Sequence, residues 1–198
     1  MPVFVGLTGG IAAGKSEALS AFARHGAATL STDAVVHELL GEPEVHDRLV
    51  DRWGARVVAD GRIDRGEVGA IVFESPDELR WLESTLHPLV GARAAEWRQS
   101  LPPDTSVAVV EVPLLFETGM DPLFDATVAV IAPDEVRSRR AGDRGTELLE
   151  GRSERQLSQD EKAARATYAI RNDGSLADLD AEVARLVSAL AELAEEAG

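Results

Sequence analysis

The sequence contains no cysteine and only two lysines among its 198 residues. Without cysteine, neither a disulfide framework nor a thiolate metal site can form. No apolar run approaches the roughly 18 residues needed to cross a bilayer, and the first residues lack the basic and long apolar regions of a secretion signal. We therefore expect a cytoplasmic protein with no membrane partner, present as a monomer or a small homo-oligomer.

The chain has fewer positive than negative residues, 20 Lys and Arg against 35 Asp and Glu, which gives a formal net charge of -15. This balance argues against a nucleic-acid partner, because affinity for a phosphate backbone depends on clustered lysine and arginine. Any anionic ligand must be held by a locally positive site. Eighteen of the twenty basic residues are arginines, a usage typical of GC-rich coding, so Lys15 and Lys162 are more informative than most lysines.

Strand-like and helix-like stretches alternate along the chain, which predicts an α/β fold with a mainly parallel five-stranded sheet. The predicted strands are Val3–Leu7, Ala27–Leu30, Ser106–Val112, Ala126–Ile131 and Tyr168–Arg171. The first two strands are followed by predicted helices, Ser16–Arg24 and Asp33–Leu40.

The stretch between the second and third strands, residues 44–100, is too long for an ordinary βα connection. It predicts a helical subdomain, interrupted at Gly61 and Pro76, inserted into a core formed by residues 1–43 and 101–198 of a single chain. The C-terminal segment carries apolar residues at three- and four-residue steps, which predicts an amphipathic helix covering the sheet. These residues are Leu176, Leu179, Val183, Leu186, Leu190 and Leu193.

A glycine-rich loop follows the first strand and fits the pattern G-x-x-x-x-G-K-[ST]. Its residues are Gly9, Gly10, Ile11, Ala12, Ala13, Gly14, Lys15 and Ser16. In such a P-loop the backbone N–H groups surround phosphate oxygens at a helix N-terminus, the lysine reaches the β- and γ-phosphates, and the serine hydroxyl ligates Mg²⁺. We therefore expect a three-layer P-loop NTPase fold that binds ATP with Mg²⁺.

Other motifs narrow the class of NTPase. The guanine-specific N-K-x-D element cannot occur, because Asn172 is the only asparagine and Asp173 follows it. The chain has no sequence like the S-G-G-Q signature of transporter ATPases, and 198 residues leave little room for a mechanical domain. Phosphoryl transfer to a small molecule is therefore the favoured class.

Two carboxylates follow predicted strands at the edge where ligands bind in parallel sheets. Asp33, after the second strand, is a candidate base for an alcohol acceptor, or alternatively a cap of the following helix. Glu111 ends an apolar strand where P-loop enzymes keep an acid near Mg²⁺ or its waters, and its alternative role is an acid without a metal.

Arginines gather after the strand Ala126–Ile131 and predict a lid over residues 137–156 that closes on the phosphates. They are Arg137, Arg139, Arg140, Arg144 and Arg152. A solvated basic helix face is the alternative.

Across nearly its whole length the chain resembles the dephospho-coenzyme A kinase family. The resemblance lies in GLTGGIAAGKS, STDAVVHELL, DGRIDRGEVGAIVF, LESTLHPLV, EVPLLFETGMDPLFD and ERQLSQDEKAARATYAIRNDGSL, which occur in the family's order. It implies transfer of the γ-phosphoryl group of ATP to the ribose 3′-hydroxyl of dephospho-CoA, with Mg²⁺.

The resemblance also implies roles for individual residues. Asp33 would be the base, Arg140 and Arg144 would be catalytic lid arginines, and Arg152 and Asn172 would bind ATP, Asn172 near the adenine. The acceptor would be bound by Thr8, Asp33, Arg65, Phe73, His87, Pro88 and Leu115. Without the resemblance, His87 before Pro88 predicts a core histidine at a helix break.

The chain departs from the family pattern in four places. Ala12 and Ala13 replace a glycine and a serine, and a positive φ at position 12 would cost about 1 kcal/mol. Ser31 replaces an acid, Glu111 replaces an aspartate, and ATYAIRN replaces an Ala-Asp pair and an acid before Asn172. Two alternatives stay open: another small-molecule kinase, for a nucleoside, nucleotide or shikimate-like acceptor, or a nucleotide-binding protein without transfer.

Overall fold

In this computed structural model, which describes residues 1–142 and 156–196, a five-stranded sheet carries the core of the larger unit. Its strands are β1 (Val3–Gly9), β2 (Ala28–Ser31), β5 (Val107–Glu111), β6 (Ala126–Ile131) and β7 (Tyr168–Arg171), in the order β2-β5-β1-β6-β7. Every pairing is parallel, as predicted. The strand order brings the C-terminal ends of β1, β5 and β6 to one edge of the sheet.

The central strands form because their sequences are almost uninterrupted runs of β-branched and small apolar residues, which suit a sheet covered on both faces. All residues of β1 and β5 are buried. Val5 pairs with Val109 on one side and Ala126 on the other. The predicted bounds of β6 and β7 were correct, and those of β1, β2 and β5 were correct to within two residues.

Four α-helices of this unit are described, besides a 3₁₀ turn (Asp121–Leu123): α1 (Lys15–Arg24), α6 (Asp134–Gly142), α7 (Gln159–Arg165) and α8 (Leu176–Glu196). Helix α8 packs against α1 and covers strands of the sheet, which confirms the predicted C-terminal helix. Leu179, Val183 and Leu190 are buried in the core, whereas Leu176 and Leu193, at the two ends, are exposed.

Residues 32–100 form a second compact unit, which begins twelve residues before the predicted start at residue 44. It contains helices α2 (Thr32–Leu39), α3 (Pro43–Trp53), α4 (Arg65–Glu74) and α5 (Pro76–Ser100), a 3₁₀ turn (Gly54–Val57) and a hairpin of β3 (Val58–Ala59) and β4 (Arg62–Ile63). Because α2 packs on α5, it belongs to this unit. The hairpin was not predicted, since each of its strands has only two residues.

The predicted helix break at His87–Pro88 was wrong. Pro88 lies inside α5, which is continuous over 25 residues, and both His87 and Pro88 are exposed. A proline inside a helix removes one backbone hydrogen bond, and here the long helix continues past it. His87 is therefore not a core histidine.

Among the described residues, no helix is both long enough and apolar enough to cross a membrane.

Candidate nucleotide-binding site

The glycine-rich loop connects β1 directly to α1, as the P-loop pattern predicts. Gly14 is the N-cap of α1 in a left-handed conformation (φ 101°), and no side chain caps the helix. The first backbone N–H groups of a helix have no intrahelical partner and attract anions. Ala12 also has a positive φ of 58°, so the sequence's Gly-to-Ala departure does place an alanine in the left-handed region.

Side chains from the same unit bind the carbonyl oxygens of this loop. Lys15 Nζ donates to the carbonyls of Gly9 and Gly10, at 3.3 and 3.2 Å. Arg137 Nε, from α6, donates to the carbonyl of Ile11 at 2.9 Å. Because these carbonyls accept hydrogen bonds from Lys15 and Arg137, their peptide planes are held in place.

Asn172 binds the loop at the carbonyl of Ala13. Its amide, which is buried, donates from Nδ2 to Ala13 O at 2.8 Å. Arg140 donates to Asn172 Oδ1 and to the Asn172 carbonyl, both at 3.4 Å. A Cβ atom on Gly14 would lie 2.1 Å from Asn172 Nδ2, so only glycine fits beside this amide.

A further contact comes from Gln159, at the start of α7. Its side-chain amide bonds both backbone groups of Ala132, with Ala132 N to Oε1 at 2.9 Å and Nε2 to Ala132 O at 2.7 Å. The Gln159 side chain also packs against Gly10, since a Cβ atom added to Gly10 would lie 3.1 Å from Gln159 Cγ. Gln159 therefore connects α7 with the end of β6 and the loop.

A cavity of about 450 Å³ opens beside the loop. Its lining includes Gly10, Ile11, Pro133, Arg137 and Gln159. The cavity thus lies at the C-terminal edge of the sheet, where parallel α/β proteins bind ligands. Arg137 and Arg171 line the cavity together with Asp134 and Asp160, and Asp134 pairs with Arg137 at 2.8 Å.

The predicted metal residues are Ser16 and Glu111. Ser16 is exposed in the first turn of α1. Glu111 is buried at the end of β5 and accepts a hydrogen bond from Ser31 Oγ at 3.0 Å. Hydroxyl and carboxylate oxygens suit Mg²⁺, which usually takes only one or two protein ligands beside phosphates and water. The described residues contain no group of three or more His, Cys, Asp or Glu side chains that could hold a metal ion.

Thr8 and Leu115 have no exposed surface. The Thr8 hydroxyl donates to the carbonyl of Pro113 at 3.1 Å, and the Leu115 side chain lies against Gly6. Neither side chain is exposed in this structure, and the acceptor contact that the resemblance implies for Thr8 and Leu115 stays a prediction.

The other acceptor-side residues lie in the second unit. Asp33 is the second residue of α2 and is exposed. Arg65 Nη1 donates to His37 Nδ1 at 3.3 Å. His37 lies on α2, one helical turn after Asp33. Phe73 is 62% exposed, an unusual position for a large apolar side chain. Their assignment to the acceptor, with that of His87 and Pro88, stays a prediction.

The predicted lid lies only partly within the described residues. Arg144 and Arg152 fall outside them, whereas Arg137 and Arg140 lie on α6 and contact the P-loop region. Gln159 was not predicted as a site residue, because a lone glutamine gives no signal in the sequence. Lys162 stands out in the sequence only as one of two lysines, which predicts no role for it.

Comparison with known proteins agrees with this geometry. The family model described as dephospho-CoA kinase matches residues 3–178. A dephospho-CoA kinase of Streptomyces avermitilis is 36% identical over 98% of this chain and 97% of its own length. One from Wolinella succinogenes is 33% identical over 94% of each chain.

Solved structures show the same fold. The crystal structure of TT1252 from Thermus thermophilus is 33% identical, with a TM-score of 0.79 over 97% of this chain and 98% of that one. Dephospho-CoA kinase from Campylobacter jejuni is 26% identical, with a TM-score of 0.71 over 97% and 98% of the two chains. The chain therefore belongs to the dephospho-CoA kinase family.

Proposed function

We propose that this protein transfers the γ-phosphoryl group of ATP to the ribose 3′-hydroxyl of dephospho-CoA, giving coenzyme A and ADP. Membership of the family over residues 3–178 carries the choice of acceptor. The P-loop, whose helix N-terminus has no side-chain cap and whose carbonyls accept bonds from Lys15, Arg137 and Asn172, supports the choice of a triphosphate donor.

The loop and its neighbours supply the electrostatic part of the reaction. Backbone N–H groups of Gly14, Lys15 and Ser16 attract the β- and γ-phosphate oxygens at the positive end of α1. The Lys15 ammonium stabilises charge that builds on the transferred group. Arg140 lies beside the loop, and Arg144 and Arg152 of the sequence complete the proposed set of phosphate-binding arginines.

Mg²⁺ would be held by Ser16 Oγ and, directly or through a water, by Glu111. When bound, the ion neutralises charge on the β- and γ-phosphates. The Ser31 hydroxyl orients one oxygen of the Glu111 carboxylate, at 3.0 Å. This hydrogen bond explains how Ser31 can replace the acid that the family pattern has at this position.

Asp33 is the proposed general base, which accepts the proton of the 3′-hydroxyl as that oxygen attacks the γ-phosphorus. Arg65, Phe73, His87 and Pro88 are the proposed acceptor-binding residues. All five are exposed in the second unit and therefore available to a ligand.

The test of this function is steady-state phosphorylation of dephospho-CoA by the wild type and by Asp33→Asn. The variant should keep its affinity for ATP and lose about 10²-fold or more in kcat, the scale of general-base catalysis. Glu38→Gln, which removes another exposed carboxylate of α2, is the matched control and should keep the wild-type rate. Near wild-type turnover in Asp33→Asn would refute the role of Asp33 as the general base.

A panel of acceptors separates the alternatives. Phosphorylation of a nucleoside, a nucleoside monophosphate or shikimate, but not of dephospho-CoA, would identify a different small-molecule kinase. Binding of ATP with no release of ADP in the presence of any acceptor would identify a nucleotide-binding protein.

A further inference from the structure

Lys162 lies in α7 with a fully buried side chain, although it is one of only two lysines in the chain. A buried ammonium group is costly unless it is paired and hydrogen-bonded. Here Nζ lies 3.0 Å from Glu117 Oε1 and donates to the carbonyl of Pro113 at 2.9 Å. The group is thus compensated by one charged and one neutral partner.

Both partners belong to the segment 113–117, which follows β5 and the buried Glu111. The Pro113 carbonyl also accepts the Thr8 hydroxyl at 3.1 Å, and Thr8 directly precedes Gly9 of the P-loop. One carbonyl therefore receives two donors, from β1 and from α7. These bonds fix the segment after Glu111 against the strand that leads into the loop.

Glu117 is contacted by two donors, both at the same carboxylate oxygen. Its Oε1 accepts from Lys162 and from the backbone N–H of Leu157 at 2.9 Å. Its other oxygen, Oε2, is buried and has no hydrogen-bond partner among the described residues. Among the described residues this pair leaves one buried oxygen unsatisfied, a cost that an apolar pair of similar volume would avoid.

We infer that Lys162 is a positioning residue for phosphoryl transfer. Through the Pro113 carbonyl it holds the segment after β5 in place, and so fixes the direction of the Glu111 carboxylate relative to the P-loop. Glu117 provides the counter-charge that permits a buried lysine. This inference rests on the proposed function, because it assigns Lys162 to the transfer step of that reaction.

The first test compares Lys162→Met with Glu117→Gln. Lys162→Met should lower kcat about 10-fold or more, because small misplacements of catalytic groups have effects of this size. The KM for ATP should change less than about 3-fold, since the P-loop contacts of Lys15, Arg137 and Asn172 are intact, and the Mg²⁺ concentration for half-maximal rate should rise. Glu117→Gln should lower the unfolding midpoint but keep kcat within about 3-fold of wild type, because Lys162 can still donate to Pro113.

The double variant Lys162→Met/Glu117→Gln separates positioning from charge compensation. It buries no unpaired charge, so its unfolding midpoint should recover relative to Lys162→Met, whereas kcat should stay low. If Lys162→Met does not fold, the double variant carries the kinetic test alone. Amide exchange should also be faster at residues 114–118 in both variants that lack the lysine.

Arg24→Met is the control for loss of an ion pair elsewhere in the unit. Arg24 pairs with Asp180 at 2.7 Å on α1 and α8, and its variant should keep the wild-type kcat. The inference is overturned if Lys162→Met has wild-type kcat and Mg²⁺ dependence, or if the double variant recovers kcat together with stability. A wild type that does not phosphorylate dephospho-CoA would instead refute the proposed function, and the same variants would then be measured with the acceptor that the wild type does use.

Discussion

Replacing Gly14 with alanine tests the close contact between the P-loop and Asn172, and replacing Gly26 with alanine is the matched control. Both glycines flank α1 and both have a positive φ, 101° and 87°. Alanine at either position adopts a left-handed conformation at a cost of about 1–2 kcal/mol. Alanine also restricts the unfolded chain, which offsets about 0.4–1 kcal/mol of that cost. The two positions differ in what a new Cβ atom would meet.

Beside Gly26 there is nothing within 4 Å, whereas beside Gly14 the new Cβ would lie 2.1 Å from Asn172 Nδ2. The amide must then move and lose its 2.8 Å bond to Ala13 O. Leaving a buried polar group without a partner costs about 1–3 kcal/mol. Gly26→Ala should therefore lose about 0.5–1 kcal/mol in total, and Gly14→Ala about 2–4 kcal/mol.

Thermal unfolding measures this difference. At about 2–4 °C per kcal/mol for a chain of this size, Gly26→Ala should lower Tm by about 1–4 °C and Gly14→Ala by about 5–15 °C. ATP titration should show binding weakened about 10-fold or more in Gly14→Ala only, because the N–H groups that we propose bind the phosphates move with the loop. Equal losses of Tm in the two variants, or unchanged ATP affinity in Gly14→Ala, would refute the reasoning.

Three further predictions concern other residues. Ala12→Gly should raise Tm by about 1–4 °C, because glycine removes the strain at φ 58° but gains freedom in the unfolded chain; a lower Tm in differential scanning calorimetry would contradict this. Lys15→Ala should abolish transfer in the coupled ADP assay while the circular dichroism spectrum stays native, and full activity would refute the P-loop assignment. A hydrogen bond from Arg52, and to a smaller extent one from Trp53, lowers the pKa of Glu78. The stability that these bonds add is therefore present above the ordinary glutamate pKa and is lost as the pH falls through the lowered value. Glu78→Gln should lower Tm more at pH 7 than at about pH 3, and equal losses of Tm at the two pH values would contradict this prediction.

Much of the fold was predictable because buried parallel strands have a distinctive composition. The runs SVAVVEV and ATVAVI contain almost no polar residues, and both became central strands with bounds close to the predicted ones. The two-residue strands β3 and β4 were not predictable, since so short a pair leaves no alternation to detect. The continuity of α5 through Pro88 was not predictable either, since a proline usually ends or kinks a helix.

The site was predictable where backbone chemistry restricts the residue type. A P-loop requires its glycines and its lysine, and the spacing in the sequence identified them. The contacts of Arg137, Asn172 and Gln159 with the loop and the end of β6 join residues up to 159 positions apart, and no local pattern encodes them. The same holds for Lys162 with Pro113, whose bond depends on the packing of α7 against the sheet.

The most direct test of the proposed function is the identity of the product formed from ATP and dephospho-CoA. Mass spectrometry and ³¹P NMR of the wild-type reaction should show coenzyme A phosphorylated at the ribose 3′-position, with one ADP released for each molecule formed. Release of ADP without a 3′-phosphate on the acceptor, or no release of ADP at all, would contradict the proposal that this protein phosphorylates dephospho-CoA.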